Sequence, residues 1–276
     1  MKNLPKTITS LALALLLPLS LTACGSDSGG DKPAAGPLKV GMEAAYPPFN
    51  WTQVDDSNGA VAIESGGWAG GYDVEIAKLV ADKLGREIVV VKSDWDGLIP
   101  ALISGQIDMI VAGMSPTDER RKSIDFSDPY YTSDAVIVVQ ADSPWASATS
   151  LEDFAGAKIT AQLGTTHYDL IEQIPGVDQQ VAMDSFPTMV MAVTSGKIDG
   201  YISERPGALS AVAANPDLTF VAFEESQGFD IERNEIVISI GLQKGSDLLE
   251  SVNQALSQIS DGQRADLMVE AIKNQP

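Results

Sequence analysis

The sequence predicts an α/β fold with largely parallel sheets, and three observations carry the prediction. From Leu38 onward, short apolar segments of strand length alternate with amphipathic stretches of helical period. The 276 residues are 44 % hydrophobic and 20 % charged, a globular composition long enough for one large domain or two lobes with separate cores. Polar residues gather just after the strand-like segments, where open α/β sheets bind ligands.

The elements follow in order. Residues 1–23 read as a signal segment: Lys2 and Lys6, then an apolar run from Ile8 to Leu21, too short for a permanent membrane span and interrupted by Pro18. Leu21-Thr22-Ala23-Cys24 resembles the lipobox of bacterial lipoprotein signals, which implies cleavage before Cys24 and a lipid on its thiol. Residues 24–37, rich in Gly, Ser, Pro and Ala, read as a flexible tether. The folded part is expected to be exported and anchored to the outer face of the cell membrane.

Leu38–Met42 is the first predicted strand. Tyr72–Leu84 carries a helical stripe of Val74, Ile76, Leu79 and Val80 that Gly85 closes. Strands are predicted over 87–92 and 107–114, with a helix over 96–104 between them. The pattern repeats with strands over 135–140, 157–162, 198–203 and 236–242. Helices are predicted over 168–173, 186–195, 208–213, 246–259 and 264–273. No internal repeat of fixed period is present.

Charge and composition exclude several functions. A net charge of −20 argues against a nucleic-acid surface. One His and one Cys leave almost nothing for a zinc centre or a Cys/His catalytic pair, and no internal disulfide can form. No cofactor and no metal are expected.

Five places after strands hold the candidate chemistry. Ser115-Pro116-Thr117-Asp118 reads as a capping box with Ser115 as N-cap, opening a helix that carries Arg120 and Arg121. Free N–H groups beside a guanidinium suit a carboxylate, although an ordinary cap with solvated arginines has the same pattern. Gly164-Thr165-Thr166 is either a second anion site or a plain turn. Glu204 can pair with a cation or face water. Tyr46 and Trp95 lie beside Glu43, Asp94 and Asp96, as core residues or as stacking faces for a polar chain. His167 reads as a loop histidine.

These residues resemble a known family. GMEAAYPPFNW (41–51), GYDVEIAKLVADKLG (71–85), the segment from Trp95 to Tyr131, QLGTT (162–166) and SGKIDGYISERPGA (195–208) are similar, in that order, to the polar amino-acid-binding proteins of bacterial ABC importers. The resemblance implies a periplasmic-binding-protein-like fold of two lobes, two parallel-rich sheets joined by a two-strand hinge. Lobe 1 would hold 38–132 plus 238–276 and lobe 2 would hold 133–237. It also implies that Arg120 clamps the ligand α-carboxylate with Thr165 and Thr166. Glu204, the Gly113 carbonyl and Ser115 would take the α-ammonium. Tyr46 and Trp95 would sandwich the side chain, with Glu43 at its far end and Gln162 and His167 nearby. Glu204 departs from the family's usual aspartate.

The function implied is capture of a polar, best a basic, L-amino acid (arginine or lysine) by a monomer that delivers it to an ABC permease. Glutamine and histidine remain open as ligands. A ligand-sensing lipoprotein and an exported dehydratase-like enzyme using Glu43 or Glu204 are the rival functions; the expectation is no enzyme, because each pocket acid has a ligand group to satisfy.

Overall fold

A computed structural model describes residues 36–276 apart from residue 225; the signal segment, Cys24 and most of the tether lie outside the described residues. The chain starts with β1 (Leu38–Met42), whose Leu38, Val40 and Met42 are fully buried. Next comes an antiparallel flap of β2 (Ala45–Tyr46), β3 (Asn50–Gln53), β4 (Val61–Ala62) and β5 (Trp68–Gly70). Helix α1 (Tyr72–Lys83) buries Val74, Ile76 and Val80 on the predicted stripe, and Gly85 ends it at φ +64°. Then follow β6 (Ile88–Lys92), α2 (Leu98–Ile103), β7 (Met109–Ile110), α3 (Asp118–Ser123) and β8 (Ile124–Thr132).

Residues 135–221 build a second sheet. It comprises β9 (Ala135–Gln140), β10 (Lys158–Thr160), α4 (Thr166–Leu170), β11 (Asp178–Gln179), α5 (Phe186–Thr194), β12 (Gly200–Glu204), α6 (Arg205–Ala214) and β13 (Leu218–Val221). The chain returns through α7 (Arg233–Ile236) into β14 (Val237–Gln243), then α8 (Leu248–Leu256) and α9 (Asp261–Asn274).

The two sheets share one plan. The first has the order β6-β1-β7-β14-β8, the second β11-β10-β12-β9-β13. In each, three parallel strands are joined by two antiparallel ones. Growth of the sheet changes side between β1 and β7, and again between β10 and β12. Such switch points open a crevice beyond the strands' carboxyl ends. The fold is therefore a two-lobed α/β architecture. Its chain crosses between sheets at Ser133–Asp134 and again ahead of β14, where the Ser133 N–H donates to the Ile236 carbonyl at 2.9 Å.

Several local expectations are corrected. Thr117, not Ser115, caps α3: its hydroxyl accepts from the Arg120 N–H at 3.3 Å. The predicted strand over 107–114 pairs as a strand only at Met109–Ile110, because Gly113 turns the chain at φ +66°. The longest strand, β8, was not predicted. It holds Pro129 and three acidic or hydroxyl residues in nine, yet it lies on the sheet edge, where a missing N–H is tolerated. Its partner β14 shifts register beside Pro129.

Candidate functional site

The two switch points face each other. From the first lobe, Tyr46, Trp95, Gly113, Ser115 and Arg120 line a small cavity of about 20 Å³. Gln162, Thr165, Thr166, His167, Phe186 and Glu204 close it from the second. That volume holds about one water molecule, so a larger solute enters only as the lobes part. Trp95 also borders an outer chamber of about 870 Å³, together with Glu43, Lys92, Asp94, Asp96 and Asp184.

Arg120 projects from the first turn of α3, where the Thr117 cap fixes its backbone. Its guanidinium lies 5.2 Å from the Trp95 ring centre and donates to the Ser115 carbonyl at 2.8 Å and, across the cleft, to the Gly164 carbonyl at 3.1 Å. Burial pushes it down to about 10, still charged at neutral pH. Two of its five N–H donors are engaged, which leaves a fork for a carboxylate. Thr165 sits opposite, its hydroxyl donating to the Gln162 carbonyl at 2.7 Å.

A patch of acceptors lies beside this cation. Glu204, at the end of β12, is 8 % exposed, and burial raises its carboxyl to about 8. Oε2 accepts from the Tyr46 hydroxyl at 2.8 Å, while Oε1 lies 3.9 Å from His167 Nε2. Burial and the nearby Arg120 push His167 down to about 4, so the imidazole is neutral at pH 7. Ser115 donates to the Glu235 carbonyl at 2.9 Å. That leaves its oxygen lone pairs as acceptors, as an ammonium requires. Behind Gly113, fully buried Asp73 accepts from Asn50 at 2.8 Å and Tyr130 at 2.7 Å.

At the far end, Gln162 Nε2 donates to Glu43 Oε1 at 2.9 Å and to the Asp184 carbonyl at 3.0 Å. Both amide hydrogens are then used. What remains free among the described residues is the Gln162 carbonyl oxygen and Glu43 Oε2, two acceptors. Burial raises Glu43 to about 7, and nearby Asp94 and Asp96 raise it further against the Gln162 hydrogen bond.

Tyr46, Trp95, Gly113, Ser115, Arg120, Thr165, Thr166 and Glu204 therefore converge on one cavity, with Gln162 and His167. Glu43 does not line it; Gln162 stands between. The expected Tyr46–Trp95 sandwich also differs: Tyr46 stacks on Phe186 at 4.0 Å and Phe49 at 5.0 Å, whereas Arg120 covers Trp95. Phe186 was not foreseen, because a Phe opening a helix carries no mark separating it from core. Among the described residues, no group of three His, Cys, Asp or Glu side chains is placed to hold a metal ion. No described helix is long and apolar enough to cross a membrane.

A buried cation and a buried acceptor patch on opposite walls of an interlobe cleft define a binding protein for a small polar solute. The model of the bacterial extracellular solute-binding proteins, family 3, matches residues 38–271, and the chain belongs to that family. It is 33 % identical over 256 residues to the arginine-binding extracellular protein ArtP of Bacillus subtilis (strain 168), covering 91 % of each chain. It is 36 % identical over 217 residues to a probable histidine-binding protein of Campylobacter jejuni, covering 76 % of this chain and 78 % of that one. A solved structure of an ancestral arginine-binding protein bound to glutamine superposes with a TM-score of 0.70 at 34 % identity, covering 86 % and 97 % of the two chains.

Proposed function

We propose that this chain captures a cationic L-amino acid, arginine or lysine, and delivers it to an ABC permease from a lipid anchor on Cys24. Arg120 with Thr165 and Thr166 takes the α-carboxylate. Glu204, the Gly113 carbonyl and the Ser115 oxygen take the α-ammonium. The side chain runs along Trp95 toward Gln162 and Glu43. One observation carries the choice of ligand: the far end offers acceptors only. A guanidinium or ammonium supplies donors there, while the carbonyl oxygen of a glutamine side chain meets no donor and is left unpaired, which is unfavourable.

Isothermal titration of refolded, ligand-stripped protein against the twenty amino acids and ornithine tests the reading. Arginine or lysine is expected to bind at least tenfold tighter than glutamine, roughly the effect of one mispaired polar group. Glutamine binding more tightly would overturn the cationic assignment and keep the amino-acid one; turnover of a bound amino acid would favour the exported enzyme. Lipidation is read separately by the intact mass of membrane-extracted protein, with Cys24→Ala expected to release it into the medium.

A further inference from the structure

The second lobe grips Tyr46, a residue of the first, from three elements. The ring of Phe186, which opens α5, stacks on it at 4.0 Å and 17°. Glu204, which ends β12, accepts its hydroxyl at 2.8 Å. The first turn of α6 lies against its edge at Gly207, where an added Cβ would fall 3.0 Å from Tyr46 Cε2 and 3.2 Å from the hydroxyl oxygen. On its own lobe, Tyr46 is backed by Phe49 at 5.0 Å and by Gly113, whose added Cβ would fall 3.2 Å from the ring. The ring thus has a fixed seat on one lobe and a clasp on the other.

We propose that Tyr46 is a latch between the lobes, and that Phe186 and Gly207 are positioning residues which set how readily the cleft closes. All three contacts join protein atoms, so they favour closure whichever solute is bound. A solute's apparent dissociation constant is its intrinsic value divided by the fraction of protein able to adopt the closed form. The latch therefore scales every affinity by one factor, unlike a pocket residue, which changes one ligand relative to another. Gly207 has a second reason to be read this way. Glycine inside a helix forgoes helix propensity, and here its missing Cβ is what lets α6 lie flush on Tyr46. The added Cβ would also meet Ser203 Oγ at 2.8 Å, a contact within lobe 2 that a hydroxyl rotation can relieve. The arm of Glu204 matters as well: an aspartate, one methylene shorter, would face the cleft and fall short of the Tyr46 hydroxyl.

The inference uses the amino-acid reading only for its affinity measurement. Small-angle X-ray scattering of ligand-stripped Gly207→Ala and Phe186→Ala tests the latch directly. Each is expected to have a larger radius of gyration than wild type when stripped, and the wild-type value when saturated with arginine. Titration should show arginine, lysine and glutamine all weakened by a common factor, about 3- to 30-fold, with their ratios unchanged. Tyr46→Phe keeps the ring, loses the hydroxyl, and serves if either alanine variant fails to fold. Stripped variants with the wild-type radius would overturn the latch, as would a changed ratio between ligands at constant radius. An expanded radius in a protein that binds no amino acid would keep the latch and remove the ligand assignment.

Discussion

Arg120 is the residue on which binding most depends, because it is the buried cation of the cleft. Arg120→Ala should weaken amino-acid binding by about 2–5 kcal/mol, since it leaves the ligand carboxylate buried without a partner. Titration calorimetry measures this, and a loss under threefold would remove Arg120 from the carboxylate site. The buried acids set the response to pH. Burial raises Glu43 from 4.5 to about 7, Glu204 from 4.5 to about 8 and Asp73 from 3.8 to about 6. The folded protein therefore keeps protons that the unfolded chain has already released, and its stability falls as pH rises toward 8. His167, lowered from 6.5 to about 4, acts in the opposite sense only below its ordinary value. Between pH 6.5 and 8 the acids act alone. The melting temperature of stripped protein should fall over that interval, while amino-acid affinity rises as Glu204 ionises to meet the ammonium. A melting temperature that climbs from pH 6.5 to 8 would refute the account.

Among the elements, α3 has the most to do with the site. It is only six residues long, too short to be stable as an isolated helix, so its Thr117 cap and its packing hold Arg120 in place. Thr117→Ala should cost about 0.5–2 kcal/mol of stability and also weaken ligand binding, although Thr117 is not among the residues that line the cavity. Urea unfolding and calorimetry on the same variant separate the two losses; unchanged affinity would show that packing alone fixes Arg120. Strand β8 teaches a different lesson. Pro129 and its polar neighbours conceal it from pattern reading, and only its edge position and its pairing with β14 make it a strand.

At the scale of the molecule, the net charge of −20 acts over distances that no single contact spans. Association of arginine should slow as ionic strength rises from about 10 to 150 mM, because the Debye length shrinks from about 30 to 8 Å. Glutamine, with no net charge, should associate at a nearly constant rate. Stopped-flow fluorescence of Trp95 follows both, and equal salt dependence would assign the acidic surface to solubility alone. The core is continuous across the cleft: buried side chains run from β1 through Tyr46 and Phe49 to Phe186, Met189 and Tyr201.

The sequence by itself determined the α/β class, the periodic helices and the register of polar residues at strand ends. Those features are local: the stripe of Val74, Ile76 and Val80 and the turn at Gly85 are legible within one segment. Arg120, Glu204 and the 164–166 turn were legible as candidates for the same reason, each lying just after a strand. Only the tertiary structure decided which candidates meet. Gln162 stands between Glu43 and the inner cavity, Thr117 takes the cap from Ser115, and Phe186 reaches Tyr46 across 140 residues of chain. A contact between lobes depends on how two sheets are set against each other, and no periodicity within either one records that.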